Sequence, residues 1–281
     1  MTKGMIYDIK EFSIFDGPGI RKTVFFKGCP LRCIWCHNPE GISFEQHIIV
    51  SKGLCTHCGQ CHRVCGKDVC DACGDCIPVC PQHIRRICGR EYTAEDLAKE
   101  LKKGKDVLEN SHGGITLSGG EPTAQPEFLL ELIHRLKPMH IVLDTCGHTK
   151  EQVFQEVIQQ VDLVLFDVKH TDATVHRRVT GVDNALILKN LDDLCDSGKA
   201  FIIRIPLIPG INDTRENMER TAELLKDAKG LQRVELLPYN KAAGAKYAMI
   251  GKTYAPDFDV SRKPNVITEP FTRHGIRSVV L

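Results

Sequence analysis

Three cysteines, Cys29, Cys33 and Cys36, fall at x3 then x2 spacing in Gly28-Cys29-Pro30-Leu31-Arg32-Cys33-Ile34-Trp35-Cys36-His37-Asn38-Pro39. The loop follows a strand-like run, Thr23-Val24-Phe25-Phe26. Three thiolates on one short loop can hold three corners of a cubane iron–sulfur cluster. An ordinary cluster is closed by four cysteines. One held by three keeps an iron with an open position, which chemistry at a metal requires. A zinc knuckle or simple buried thiols would be the blander reading, but zinc loops favour C-x2-C with a second pair further on.

A second concentration of cysteine begins near Ser51. It reads Cys55-x2-Cys58-x2-Cys61-x3-Cys65, then Cys70-x2-Cys73-x2-Cys76-x3-Cys80-Pro81. Each quartet has the bacterial ferredoxin spacing, in which the fourth cysteine ligates the other cluster. That predicts one [4Fe–4S] cluster on Cys55, Cys58, Cys61 and Cys80, and another on Cys65, Cys70, Cys73 and Cys76. Paired zinc ribbons compete with this reading. Only Gly66-Lys67-Asp68-Val69 separates the halves, and Gly66 stands where proline is expected after Cys65, so the pairing of Cys65 and Cys80 stays open. Cys88, just outside, reads as a spare thiol.

Composition bounds the rest. The chain has 281 residues, 42% of them hydrophobic and 26% charged, with a net charge of +1. This is ordinary globular composition, with room for one large α/β barrel or two smaller domains. The charge balance implies no bulk attraction to nucleic acid or membrane. Met1-Thr2-Lys3-Gly4-Met5 has no apolar signal region, and no apolar run approaches bilayer length, so a cytoplasmic protein is expected. Fourteen cysteines in such a chain argue for metal ligation over disulfides.

From Tyr92 onward, helices alternate with strands. Thr93-Ala94-Glu95-Asp96 resembles an N-cap with an acidic first turn and opens a helix to about Leu108. Strands are expected at 115–118, 140–144, 163–167, 201–205 and 234–237. Helices are expected at 128–136, 151–159, up to Leu194, and 215–226. With Thr23–Phe26 this makes six βα units, hence a parallel sheet with right-handed crossovers, curled into a partial barrel open on one side. The domain reading is 1–50 and 90–281 as the two parts of a barrel core, with 51–89 as a cysteine-rich insert.

Ligands of βα folds sit at the carboxyl ends of strands, and polar groups recur there. Ser118-Gly119-Gly120-Glu121-Pro122, Asp144-Thr145-Cys146-Gly147, Asp167-Val168-Lys169 and Leu236-Leu237-Pro238-Tyr239-Asn240 each close a strand. Two carboxylates, Asp144 and Asp167, should converge with Lys169. Arg204, inside an apolar strand, needs a buried anionic partner. A structural ion pair competes there with a ligand contact.

The C-x3-C-x-aromatic-C loop, with Trp35 before Cys36, resembles that of the radical S-adenosylmethionine (radical SAM) enzymes. Asp16-Gly17-Pro18-Gly19-Ile20-Arg21 ahead of a strand, then Cys36-His37-Asn38-Pro39, narrows the resemblance to the glycyl radical enzyme activating enzymes. It covers nearly the whole chain outside the insert. It implies a partial (β/α)6 TIM-like barrel with a small ferredoxin-like insert, three [4Fe–4S] clusters, SAM and a monovalent cation. It also implies residue roles. Cys29, Cys33 and Cys36 hold the SAM-binding cluster. Trp35, Cys36 and His37 contact adenine. Gly119, Gly120 and Glu121 take the methionine amino group. Asp144, Thr145 and Asp167 hold the cation, with Asp167 also at the amine. Asp167-Val168-Lys169 places Lys169 on the SAM carboxylate. Arg204 lies near SAM or substrate, and Asn240 stands at the nucleoside, where relatives often carry histidine. Cys146 is read as a pocket-lining thiol.

The activity implied is reductive cleavage of SAM to a 5′-deoxyadenosyl radical that abstracts a glycine Cα hydrogen from a partner glycyl radical enzyme. Flavodoxin or ferredoxin would donate the electron, and the chain would be monomeric. The alternatives are a radical SAM oxidoreductase acting on a small molecule and an iron–sulfur electron-transfer protein without SAM chemistry. The Asp16–Gly19 turn weighs against the first, and Gly119-Gly120-Glu121 against the second.

Overall fold

Strands buried on both faces read as unbroken apolar runs, because helices cover each side of a parallel sheet. The computed structural model describes residues 2–67 and 70–281 and arranges those runs accordingly. The strands are β1 (Lys3–Ser13), β2 (Arg21–Phe26), β3 (His47–Val50), β4 (Arg85–Cys88), β5 (Arg90–Thr93), β6 (Gly114–Gly119), β7 (Ile141–Thr145), β8 (Leu163–Asp167), β9 (Phe201–Leu207), β10 (Leu231–Pro238) and β11 (Ser278–Val280). Nine form one sheet in the order β11-β10-β9-β8-β7-β6-β2-β1-β5. From β2 to β11 all neighbours are parallel, whereas β1 runs antiparallel to β2 and to β5. The six expected strands are β2, β6, β7, β8, β9 and β10. Among the described residues the sheet ends at β5 and β11, which do not pair with each other.

The crossover helices bind through one apolar face. In Pro126–Leu136, Phe128, Leu129, Leu132, Ile133 and Leu136 are buried, the i, i+3, i+4 pattern of a helix laid on a sheet. Each such side chain contributes roughly 1.5–3 kcal/mol of burial. They join one core with Ile115, Leu117, Ile141 and Leu143 of the strands.

Two expected helices are each divided. The one predicted over 93–108 is split into Ala94–Leu101 and Lys105–Asn110 at Gly104, whose φ of +69° the helical backbone cannot include. The one expected up to Leu194 is split into Ala173–Thr180 and Ala185–Ser197 at Gly181, φ +84°. The Thr93 cap is present, its side chain accepting from Asp96 N.

The cysteine-rich stretch is closed at its base by a two-stranded antiparallel sheet of β3 and β4, in which Val50 faces Arg85 and His47 faces Cys88. Between them the described residues hold a single 3-10 turn, Lys52–Leu54, and one short α-helix, Gln60–Cys65. Asp68 and Val69, half of the tether between the quartets, lie outside the described residues. Among the described residues no helix is long and apolar enough to cross a membrane.

Candidate active site

The three-cysteine loop leaves the end of β2 and is pinned along its length by backbone hydrogen bonds. Gly28 N donates to Gly41 O (2.7 Å) and Cys29 N to Ile42 O (3.0 Å). Arg32 N and Ile34 N donate to Thr180 O and Val179 O at the end of helix Ala173–Thr180 (2.7 and 3.0 Å). The glycine loop after β6 locks against the same segment. Gly120 N donates to Phe26 O, and Glu121 N to Gly28 O. The approach is too close for side chains: a Cβ on Gly120 would stand 2.3 Å from Gly28 O, and Gly119 adopts φ +120°.

These loops enclose a cavity of about 360 Å³ at the carboxyl ends of β2 and β6–β10. Cys29, Cys33, Trp35, Cys36, His37, Gly119, Gly120, Asp144, Thr145, Cys146, Asp167, Lys169 and Arg204 all line it. A roomier surface groove of about 550 Å³, beside helices Arg215–Leu225 and Glu269–Arg273, contains none of these groups.

All three thiols are free of disulfides. Burial pushes each of them above the usual thiol range, Cys33 to about 12. Thiols so desolvated ionise only against a positive body, which the irons of a cubane supply. The donor set and the adjoining cavity therefore fit a cluster held from one side. Among the described residues no three of His, Cys, Asp and Glu are gathered as ligands of a single ion.

Polar groups face the thiols from the neighbouring strand ends. Lys169 Nζ donates to Asp167 Oδ2 at 2.6 Å. Burial alone would lower its pKa, but Asp167 and the nearby Cys33 outweigh that and hold it above the ordinary lysine value. Asp144 Oδ2 accepts from Ser118 Oγ at 2.6 Å. Burial raises Asp144 to about 6, Arg204 restrains the rise and Asp167 adds to it. Trp35 is buried against Val179, Ile208 and Ile211. His37 meets the Tyr239 ring edge-on at 6.0 Å, and burial lowers its pKa.

Three of the expected site residues stand outside the cavity lining. Glu121 does not line the cavity. Its carboxylate is fully buried and accepts from Thr123 N, Thr123 Oγ1 and Thr145 Oγ1 on one oxygen and Cys146 N on the other. It braces the glycine loop and the Asp144–Gly147 loop, leaving the backbone of Gly119 and Gly120 to face a ligand. Asn240 is exposed, and its side chain accepts from Ala242 N to cap a short turn, so the cavity wall at that strand end is Tyr239. The Val168 side chain is in the core, and its N–H donates to Arg204 O.

Arg204 lines the cavity and is also structurally tied. It donates to Glu235 Oε2 at 2.9 Å and to Phe15 O, and stands 3.8 Å from Asp144 and 4.0 Å from Asp16. It thereby joins the Asp16–Gly19 turn to the wall of the site. Sequence reading gave no role of their own to Glu235, Ser118 and Lys246. Lys246 Nζ reaches Asn38 (2.8 Å) and Glu40 (2.7 Å) just beyond the cysteine loop. Glu235 had a signal, a lone acid in an apolar strand, but its partner follows only from register.

In the insert, Cys55, Cys58, Cys61 and Cys80 line one cavity of about 130 Å³. Cys80, of the second quartet, is thus the fourth cysteine lining that cavity. Cys88 is fully buried apart from them, its thiol 3.7 Å from Glu40 O.

The radical SAM superfamily model matches residues 23–225. The chain is 40% identical to a trans-4-hydroxy-L-proline dehydratase activating enzyme of Clostridioides difficile, over 89% of each chain. It is 37% identical to a choline trimethylamine-lyase activating enzyme of Oleidesulfovibrio alaskensis, over 90% of this chain and 88% of that one. Among solved structures, a radical SAM methyltransferase from Sphaerobacter thermophilus shares the fold, with a TM-score of 0.56 at 15% identity over 98% of this chain and 76% of that one. A cluster loop locked to a glycine loop, carboxylates and a lysine at the neighbouring strand ends, and relatives matched nearly end to end place this chain in the radical SAM superfamily, among the glycyl radical enzyme activating enzymes.

Proposed function

We propose that the chain activates a partner glycyl radical enzyme, using a three-cysteine [4Fe–4S] cluster and SAM in the 360 Å³ cavity. The observation that carries this is the convergence, in that one cavity, of three unpaired thiols with Asp144, Asp167 and Lys169. When bound and reduced, the cluster supplies one electron to SAM, whose carbon–sulfur bond breaks to give methionine and a 5′-deoxyadenosyl radical.

The protein's own residues hold and orient. Cys29, Cys33 and Cys36 anchor the cluster from one side. Lys169, kept charged by Asp167, receives the SAM carboxylate. Asp144, Asp167 and Thr145 offer oxygens to the SAM amine and a monovalent cation, and the Gly119–Gly120 backbone admits the methionine moiety. Trp35, His37 and Tyr239 form the nucleoside end. Holding the target C–H close and excluding water confines the radical to one bond. The target is a glycine loop of the partner, which enters where the sheet does not close.

The insert, taken as residues 51–89 between barrel parts 1–50 and 90–281, carries two further [4Fe–4S] clusters, three in all. The 130 Å³ cavity supports the set Cys55, Cys58, Cys61 and Cys80. Cys65, Cys70, Cys73 and Cys76 form the other. They relay electrons from flavodoxin or ferredoxin to a monomeric cytoplasmic enzyme.

The test is anaerobic incubation of the reduced holoenzyme with SAM and a candidate partner. 5′-Deoxyadenosine and a glycyl radical doublet in the electron paramagnetic resonance (EPR) spectrum are expected, and both should vanish in Cys36→Ala. Turnover retained by that variant would refute the assignment.

A further inference from the structure

We propose that Arg85 is a positioning residue shared by the two insert clusters, a single guanidinium donating to a ligand of each and holding both at raised reduction potential. The proposal rests on the two-cluster reading of the insert.

Arg85 Nη2 lies 3.0 Å from Cys61 Sγ, and Nη1 lies 3.9 Å from Cys76 Sγ. Cys61 belongs to the first quartet and Cys76 to the second, and the crossed grouping assigns them to different clusters. One planar fork therefore spans the gap between the two sulfur sets. Arginine suits this place because its donors diverge in a fixed plane and its charge persists at any working pH, whereas lysine offers a compact point charge.

The fork is held from outside the cysteine loops. Arg85 opens β4 and faces Val50 across the ladder, while Ser51 N donates to Ile84 O at 3.0 Å. Three residues on, Cys88 is sealed against Glu40 O in the barrel. The guanidinium is thus positioned by the seam that joins the insert to the core, not by the loops it bridges.

The physical effect has a definite sign. Reduction adds negative charge to a cluster and concentrates it on the sulfurs, so a donor and a fixed positive charge favour the reduced form. Removing them makes both clusters harder to reduce.

The test is a potentiometric EPR titration of the reconstituted full-length holoenzyme, with iron and acid-labile sulfide assayed in parallel. The signal that responds to added SAM identifies the three-cysteine cluster and sets it aside. In Arg85→Gln, the reduced-to-oxidised ratio of both insert clusters, poised at the wild-type midpoint, should fall about fivefold, the effect of losing roughly one charged hydrogen bond that is partly exposed to solvent. In Arg85→Lys, the ratio should recover for one cluster and not for the other. An Arg85→Gln protein with wild-type iron and unchanged ratios overturns the proposal alone. If that variant sheds insert iron, Arg85→Lys decides, and unchanged ratios for both clusters overturn it. Wild-type iron no greater than one cubane removes the two-cluster reading and the proposal together.

Discussion

Arg204 Nε donates to Glu235 Oε2 at 2.9 Å, between residues that face one another across β9 and β10. Glu235 is 2% exposed, and its other oxygen accepts from Arg233 at 2.6 Å. Without it, the buried Arg204 keeps only longer contacts with Asp144 and Asp16 and its bond to Phe15 O. Glu235→Ala should cost about 3 kcal/mol, since a broken buried pair leaves an uncompensated charge. Glu235→Gln should cost less. Urea unfolding followed by far-UV circular dichroism measures both, and an unchanged midpoint in the Ala variant would contradict the pairing.

Lys169 should be needed for SAM binding and not for cluster assembly. It is half-buried beside Asp167 and lines the cavity without being one of the cluster's thiols. Lys169→Ala removes a charge-assisted hydrogen bond worth about 1.5–3 kcal/mol, so SAM affinity should fall roughly ten- to a hundredfold. Equilibrium binding at constant iron content is the measurement.

Cys80 should behave as a member of the first insert quartet. It shares a cavity with Cys55, Cys58 and Cys61, although along the chain it follows Cys70, Cys73 and Cys76. Cys80→Ala and Cys58→Ala should therefore perturb the same EPR component of the reduced protein. Loss of different components would mean that each quartet closes its own cluster.

His140 should contribute to a loss of stability in mild acid. Burial lowers its pKa, and the adjacent Arg21 lowers it further. Its Nδ1 lies 3.3 Å from the Arg21 guanidinium. The unfolded chain then takes up a proton at higher pH than the folded chain does. The stability His140 provides is complete above about pH 6.5, its ordinary value, and declines as pH falls through that value. Melting temperatures at pH 7.5 and 5.5 should differ less in His140→Gln than in the wild type. An equal difference would remove His140 as a cause.

Lys246 should fasten the segment after β10 to the cysteine loop. Its ammonium bridges Asn38 and the buried Glu40, while its own side chain is 40% exposed. Partial exposure limits the effect, so Lys246→Met should cost about 1 kcal/mol. The sharper readout is hydrogen exchange, which should quicken in residues 240–251 and not in β6 or β7.

The parallel strands were legible because burial on both faces demands an unbroken apolar run, which needs no knowledge of the neighbours. β1 was not: Asp8, Lys10 and Glu11 interrupt its apolar residues, and it lies beside a short antiparallel edge strand. The cysteine loop was legible for a different reason, since ligand type and spacing along one loop are local properties. Glu121 shows where locality ends. Its type marks the motif, but the backbone after Gly119 turns its carboxylate inward to Thr145 and Cys146, twenty-four and twenty-five residues away. Asn240 is the converse case. It follows Tyr239 directly, and one residue of register at the strand end separates a wall of the cavity from a solvent-facing cap.

Among the described residues the sheet stops at β5 on one side and β11 on the other, a partial barrel with a missing wall. A closed ring shelters its reactants unaided. Under the function proposed above, this one depends on its visitor for shelter, because the partner loop that fills the gap is also what keeps solvent from the chemistry. Substrate and door are then the same molecule, and SAM consumed in its absence should be spent without product.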